Sequence, residues 1–500
     1  MDVLHGMSQG LLVCLTPAKL LACFFGVLVG TAVGVLPGIG SSGSIALLIP
    51  LTFYMDATSA VIMLAGIYYG TQYGGSTTSI LVNVPGEAGS VITCLDGHQM
   101  ARQGRAGAAL GIAAFGSCIA GTIGVLGLML MAPPLAEFAL KFGPTETFAL
   151  VFLTFTLVSY FSSGSMIKSL MMAALGLFLA TVGQEAITAI PRFTFGSVNL
   201  QSGIDLVPLI MGLFGISEVL LSLRSKEQAG TLAKTPALRD LLPNRKEWRA
   251  SLLPIGRGSL LGFLVGIFPG GSGITAAFAS YALEKKLAKS PERFGKGAIE
   301  GLAGPESANN AAAQGCFIPM LSLGIPGNAS MALTLGALKS HGIIPGPLLI
   351  QEHPAVFWGV VASMYLGNLM LLALNLPLIG LWVRLLSVAT SILYPMIIFF
   401  CIVGAFSVNN NLFDVGALFV FGYMGYFLRR MQFDLTPLIL GFILGPLLEN
   451  TARQSLIMSG GQFGIFVATP ISITLLGAAF LVLATAIYSG VRGGLKVMTA

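Results

Sequence analysis

The chain has few charged residues. Asp, Glu, Lys and Arg together make up 9% of its 500 residues, and hydrophobic residues make up 55%. A soluble domain carries about 25% charged residues, so this composition excludes a soluble globular protein. Apolar stretches of near-membrane length recur between residues 20 and 488, separated by short polar loops. The sequence therefore predicts an all-α polytopic membrane protein.

Motifs for metal chemistry, nucleotide hydrolysis and disulfide formation are also missing. The six cysteines include no CxxC pair and the four histidines show no HExxH spacing. This pattern favours buried core cysteines over a disulfide or a metal site. No GxxxxGK[ST] loop is present, so ATP is not expected to drive the protein. The first ten residues lack a basic segment, so we expect no cleaved signal peptide.

An internal repeat is the strongest signal in the sequence. Four glycines and a proline recur at a shift of 232 without a gap: Gly26, Gly30, Gly34, Pro37 and Gly38 return as Gly258, Gly262, Gly266, Pro269 and Gly270. A second Pro-Gly segment follows in each half, at residues 83–90 and 324–330. The two anchors are nine residues farther apart in the second half, which contains a charged insert at residues 284–296. Two homologous halves are the simplest interpretation.

Basic residues predict how the chain is oriented. Residues 224–257 hold eight basic and three acidic residues, which places this linker in the cytoplasm. Residues 258–283 lie between it and the basic insert; as a helix they reach only about 39 Å, too short for two crossings of about 30 Å each. We therefore expect a re-entrant hairpin there and a matching one at residues 17–55. We expect five crossings in the first half. Because this number is odd, the second half would start on the opposite side of the membrane and have the inverted orientation.

The predicted architecture is two inverted-topology repeats with about 11 spanning helices, two re-entrant hairpins and two broken helices. Repeat 1 covers residues 1–223, the cytoplasmic linker residues 224–257, and repeat 2 residues 258–500. Such an arrangement is typical of secondary transporters, whose sites lie near the midplane where the helix breaks meet.

Helix breaks offer two kinds of binding group. Half-helix N-termini attract anions, and unwound carbonyl groups suit Na⁺. The predicted substrate-binding residues are Gly38, Gly40, Ser41, Ser42, Ser76, Thr77, Pro85, Gly86, Gly270, Gly271, Ser272, Asn309, Asn310, Pro326, Gly327 and Asn328. No cofactor is expected, and Na⁺ is expected as coupling ion near Gly38, Asn83, Gly270 and Gly324. The glycines spaced by four residues at 26–34 and 258–266 favour helix packing instead.

The ionisable residues near the breaks leave alternatives open. Glu87 and Glu306 either bind the coupling ion or lie at a wet rim. Arg453 either attracts a carboxylate or pairs with Glu449, and we favour the pairing. Three histidines are expected in loops: His98, His341 and His353.

Five motifs carry a family resemblance. Residues 34–40, 69–78, 266–273, 307–310 and 318–327 resemble the large membrane subunit of the tripartite tricarboxylate transporters. The resemblance implies a multi-pass carrier of the bacterial inner membrane for citrate-like or other organic carboxylates, driven by an ion gradient, usually of Na⁺. It also implies two protein partners, a small membrane subunit and a periplasmic solute-binding protein. The chain itself is expected to contact the lipid bilayer and no nucleic acid. Alternatives are a passive anion channel and a membrane-embedded enzyme.

Overall fold

The computed structural model describes residues 3–36, 39–162, 165–185, 188–224, 237–385 and 390–498. Within these ranges the chain is helical except for loops and one antiparallel pair of two-residue strands, β1 (Gly183–Gln184) and β2 (Pro191–Arg192). Eight helical stretches of the described chain are long and apolar enough to cross a membrane. The predicted all-α polytopic fold is confirmed, and further apolar helices, such as Met166–Ala180, are shorter than a full span.

The helices fall on either side of residues 225–236, which lie outside the described ranges. Those before it are α1 (Val3–Cys14), α2 (Pro17–Val35), α3 (Gly40–Thr52), α4 (Ala57–Val82), α5 (Thr93–Met100), α6 (Ala106–Ala139), α7 (Pro144–Phe161), α8 (Met166–Ala180), α9 (Leu206–Ile210) and α10 (Ser217–Arg224). Those after it are α11 (Arg245–Ile267), α12 (Gly273–Leu287), α13 (Glu300–Gly315), α14 (Phe317–Leu323), α15 (Ala329–Ser340), α16 (Leu349–Glu352), α17 (Pro354–Asn375), α18 (Ile379–Leu385), α19 (Thr390–Asn409), α20 (Leu412–Arg430), α21 (Thr436–Met458) and α22 (Pro470–Met498).

The same close helix contact occurs twice. A Cβ atom on Gly26, Gly30 or Gly34 of α2 would lie 2.4, 2.5 or 2.4 Å from the carbonyl oxygen of Met63, Ile67 or Thr71 in α4. A Cβ atom on Gly258, Gly262 or Gly266 of α11 would lie 2.2, 2.1 or 2.4 Å from the carbonyl oxygen of Gly304, Ala308 or Ala312 in α13. The packing role expected for these glycines is confirmed, because any side chain would separate the two backbones.

The predicted hairpins are broken where expected. Helix α2 ends at Val35 and α3 begins at Gly40, while α11 ends at Ile267 and α12 begins at Gly273. Pro37 and Gly38 lie outside the described residues.

The second hairpin begins earlier than residue 258. Asn244 caps α11 by accepting hydrogen bonds from the Lys246 and Glu247 N–H groups, so residues 245–257 of the predicted linker are helical. The 23 residues of α11 reach about 34 Å, enough to cross a bilayer core. The length argument for a re-entrant hairpin therefore fails for its first arm. The boundaries of the two halves and their opposite orientation stay predictions.

Both broken helices are interrupted as predicted. Asn83 (φ 61°) follows the last residue of α4 and Gly324 (φ 70°) follows the last residue of α14, and both adopt the left-handed conformation that stops a helix. A Pro-Gly pair follows two residues later in each case. The chain then resumes as a 3₁₀ turn at Ala88–Val91 before α5, and as α15 at Ala329.

Candidate transport cavity

Both hairpin tips and both helix breaks meet at one polar cavity of 160 Å³. The tips contribute Ser41, Ser42 and Ser272, and the breaks contribute Glu87, Asn328 and Ser330. Helices α4 and α13 add Tyr68, Gln72 and Asn309 to the polar lining, and α21 adds Thr436. No Lys, Arg or His is among the described residues that line the cavity. Its electrostatics therefore depend on one carboxylate, on neutral polar groups and on helix ends.

The N-terminus of α3 lies against Glu87. The Ser41 N–H group donates to the Glu87 carboxylate over 2.8 Å. The Ser330 hydroxyl lies 2.9 Å from the Ser41 hydroxyl and 3.0 Å from the Ser42 hydroxyl. The first tip is thereby joined to both helix breaks.

Asn309 lines the cavity and lies between two glycines. Its amide nitrogen donates to the Gln72 side-chain oxygen over 3.1 Å, while its own side-chain oxygen has no hydrogen-bond partner. A Cβ atom at Gly89 would lie 2.3 Å from that oxygen, and one at Gly273 would lie 1.9 Å from it. Both positions must therefore be glycine for the Asn309 amide to occupy its place.

Asn328 and Ser272 cap the helices that follow them. The Asn328 side-chain oxygen accepts from the Met331 N–H group over 3.0 Å, and its nitrogen donates to the Tyr68 hydroxyl over 3.0 Å. The Ser272 hydroxyl accepts from the Thr275 N–H group over 3.3 Å. These caps satisfy N–H groups of α15 and α12 that have no partner inside the helix.

The structure divides the predicted site residues into two groups. Those that line the cavity are Ser41, Ser42, Ser272, Asn309 and Asn328. Those that do not are Gly40, Ser76, Thr77, Pro85, Gly86, Gly270, Gly271, Asn310, Pro326 and Gly327, and Gly38 lies outside the described residues. Several of the second group shape the breaks: the Gly270 N–H group donates to the Gly327 carbonyl over 2.9 Å.

Besides Glu87, eight lining residues were not among the predicted substrate-binding residues: Tyr68, Gln72, Gly89, Gly273, Ile274, Ala329, Ser330 and Thr436. Tyr68 and Gln72 lie one to two turns before Ser76 on α4, so the sequence identified the helix but not the part that faces the cavity. Na⁺ coordination stays a prediction, and no group of three or more metal-binding side chains occurs in the described chain.

Glu306 lies apart from the cavity lining and is 1% exposed. It accepts a hydrogen bond of 2.6 Å from the Ser76 hydroxyl and another from the Thr93 hydroxyl. Asn310, one turn later, donates to the Glu306 carbonyl and to the Ser117 hydroxyl. The wet-rim interpretation of Glu306 is therefore wrong.

Among the remaining ionisable candidates, Arg453 and His98 have structural partners. Arg453 donates to Glu449 over 2.9 Å and lies 3.6 Å from Glu185, so the predicted pairing is confirmed. His98 lies in α5, with its Nδ1 atom 3.0 Å from the Ile80 carbonyl, and the loop prediction for it is wrong. His341 and His353 flank helix ends.

A larger polar vestibule of 380 Å³ adjoins the cavity. Ser42, Ala329 and Thr436 line both spaces. The vestibule adds Arg429, which donates to Glu218. A ligand leaving the cavity on this side would pass a guanidinium group.

The fold and the cavity define a multi-pass helical membrane protein with a polar binding space at the meeting of its interrupted helices. The chain belongs to the tripartite tricarboxylate transporter TctA family, whose model matches residues 20–440. Membership makes it part of a tricarboxylate transport system with partner subunits.

Two curated relatives come from Agrobacterium vitis. The uncharacterised 52.8 kDa protein in the TAR-I ttuC′ 3′ region is 48% identical over 492 residues, 98% of each chain. The uncharacterised protein in the TAR-II ttuC′ 3′ region is 52% identical over 231 residues, 46% of this chain and 96% of its own. No solved structure matches the chain.

Proposed function

We propose that the chain is the translocating subunit of a secondary carrier that takes up a tricarboxylate or a related organic carboxylate, driven by an ion gradient with Na⁺ as the coupling ion. The chain works in the bacterial inner membrane as a transporter and not as an enzyme. The observation that carries the proposal is the cavity in which both tips and both breaks meet. Its 160 Å³ far exceeds the ~10–15 Å³ that one water needs.

The cavity has the groups that an anion requires. Helices α3, α12 and α15 all begin at residues beside it, and helix N-termini stabilise anions through free N–H groups and the helix dipole. The Glu87 carboxylate opposes an anion. A co-bound cation or a proton would offset this charge, which supports coupling of the substrate to an ion gradient.

Membership of a tripartite family supports two partners. We propose a periplasmic solute-binding protein that delivers the substrate and a small membrane subunit that assembles with this chain. The vestibule at Arg429 is then the cytoplasmic exit, because Arg429 and Arg430 lie in the last turn of α20, at the end where the basic residues place the cytoplasm.

Reconstitution tests the proposal. The chain, its small subunit and its binding protein are placed in liposomes, and uptake of radiolabelled citrate is followed with an inward Na⁺ gradient, a proton gradient or neither. Accumulation above the outside concentration with the Na⁺ gradient supports the proposal. Equilibration without accumulation would identify a channel, and accumulation with the proton gradient alone would replace Na⁺ by H⁺. No uptake under any gradient would contradict the proposed function.

A further inference from the structure

Three helix N-termini at the cavity are capped in different ways. Helix α12 is capped by Ser272 and α15 by Asn328, in each case the residue immediately before the helix and a neutral side chain. The residue before α3 is Ile39, which provides no side-chain cap. A carboxylate from another element, Glu87, fills this place instead. The α3 N-terminus is therefore the one of the three that already holds an anion.

The surroundings of this N-terminus suit a ligand carboxylate. The Ser41 N–H group and the hydroxyls of Ser41, Ser42 and Ser330 lie together there. Helix α3 has 13 residues, enough for its dipole to favour an anion at this end. A carboxylate of the substrate would find the same donors that Glu87 now uses.

A second, independent feature of the same cavity also indicates a ligand. The Asn309 side-chain oxygen is buried without a partner, and the residue is 1% exposed. Buried acceptors are normally paired, because an unpaired one loses its hydrogen bonds to water without replacement. A ligand hydroxyl, such as that of a hydroxycarboxylate, would satisfy it.

We propose that the N-terminus of α3 is the subsite for one substrate carboxylate and that Glu87 is a tethered occupant of this subsite, displaced when substrate binds. The inference rests on the proposed function. Two carboxylates at one helix N-terminus repel each other, so Glu87 leaves Ser41 as the substrate arrives. Glu87 thereby weakens substrate binding, and its release accompanies entry of the substrate.

Binding of citrate to the purified transporter tests directly whether Glu87 competes with the substrate for this subsite. Calorimetric titration is done on the wild-type protein, on Glu87→Gln and on Glu292→Gln, a matched control that removes an exposed carboxylate that lines neither the cavity nor the vestibule. Glu87→Gln should tighten citrate binding about tenfold, because a neutral amide holds the helix N-terminus less strongly. Glu292→Gln should leave it unchanged. Unchanged or weaker binding in Glu87→Gln would overturn the inference and identify Glu87 as a permanent cap or an ion ligand.

A second measurement needs no substitution in the cavity. Infrared difference spectra of wild-type protein with ¹³C-labelled glutamate should show one carboxylate band shifting on addition of citrate, and no such shift would overturn the inference. If wild-type protein binds citrate but Glu87→Gln does not bind it more tightly and no carboxylate band shifts, the proposed function stands and the inference fails. If neither wild-type protein nor Glu87→Gln binds citrate, the proposed function itself fails.

Discussion

The two hairpin and broken-helix assemblies share a close helix contact and a helix break, and they differ in charge. In both, three glycines spaced by four residues let one helix pack against the carbonyl groups of another. In both, a left-handed residue, Asn83 or Gly324, ends a helix two residues before a Pro-Gly pair. After that pair the first assembly has Glu87 and the second has Asn328. Glu87 reaches across to α3, whereas Asn328 caps its own helix. The helix contact and the break are thus common to both, and the difference in charge at the cavity lies in one side chain of each assembly.

The connections inside the two assemblies differ as well. Residues 53–56 join α3 to α4, while residues 288–299 join α12 to α13. The longer connection is held by Asp96 of α5, which accepts hydrogen bonds from the N–H groups of Gly295, Gly297 and Ala298. The insert therefore binds the second assembly to the first.

The largest expected effect tests the shared backbone contact. Gly262→Leu and Gly30→Leu should each destabilise the protein by about 3 kcal/mol or more, because a side chain there would collide with a backbone carbonyl. Gly256→Leu on α11 is the control, since a Cβ atom there has nothing within 4 Å. Thermal unfolding in detergent measures the effect. Wild-type stability of Gly262→Leu or of Gly30→Leu would contradict the close packing of the helices.

The next effect separates the two connections. Asp96→Asn should cost about 2–3 kcal/mol, because the buried carboxylate, 0% exposed, would be replaced by an amide that places a donor beside backbone N–H groups. Asp56→Ala removes the N-cap of α4 and an exposed ion pair of 4.0 Å with Lys19, and should cost about 1 kcal/mol. Equal losses in chemical unfolding would show that the insert does not depend on Asp96.

A third change makes the second assembly resemble the first. Asn328→Asp keeps the cap on α15 but adds a carboxylate to the cavity, so citrate should bind about 30-fold more weakly, about 2 kcal/mol. Asn411→Asp is the matched control, because Asn411 also caps a helix and donates to one neighbour but does not line the cavity. Calorimetric titration compares them. Equal citrate affinities would exclude Asn328 from the binding site.

The smallest effect distinguishes two adjacent asparagines. Asn309→Ala should weaken citrate binding about tenfold, since it removes an unpaired acceptor in the cavity. It also removes the hydrogen bond to Gln72, so some stability is lost as well. Asn310→Ala should lower the unfolding temperature and leave citrate affinity nearly unchanged, since Asn310 bonds Ser117 and the Glu306 carbonyl. If Asn310→Ala weakened citrate binding and Asn309→Ala did not, Asn310 and not Asn309 would be the residue of α13 that faces the ligand.

The sequence predicts the breaks better than the lining. Glycine and proline act on their own backbone, so the interruptions after Val35, Val82, Ile267 and Leu323 follow from local physics. Which side chain faces the cavity depends on the rotation of each helix, which no local pattern determines. Asn309 and Asn310 were therefore predicted alike, although only Asn309 lines the cavity. The charges alone place residues 245–257 in the linker, whereas Asn244 caps α11 and the helix begins at Arg245.

An electron cryomicroscopy map of the assembled transporter with citrate tests the central claim most directly. The account predicts citrate in the space between both tips and both breaks, with one carboxylate at the Ser41 N–H group, Glu87 moved away from it, and the citrate hydroxyl at Asn309. Citrate bound only in the vestibule at Arg429, with Glu87 still on Ser41, would contradict it.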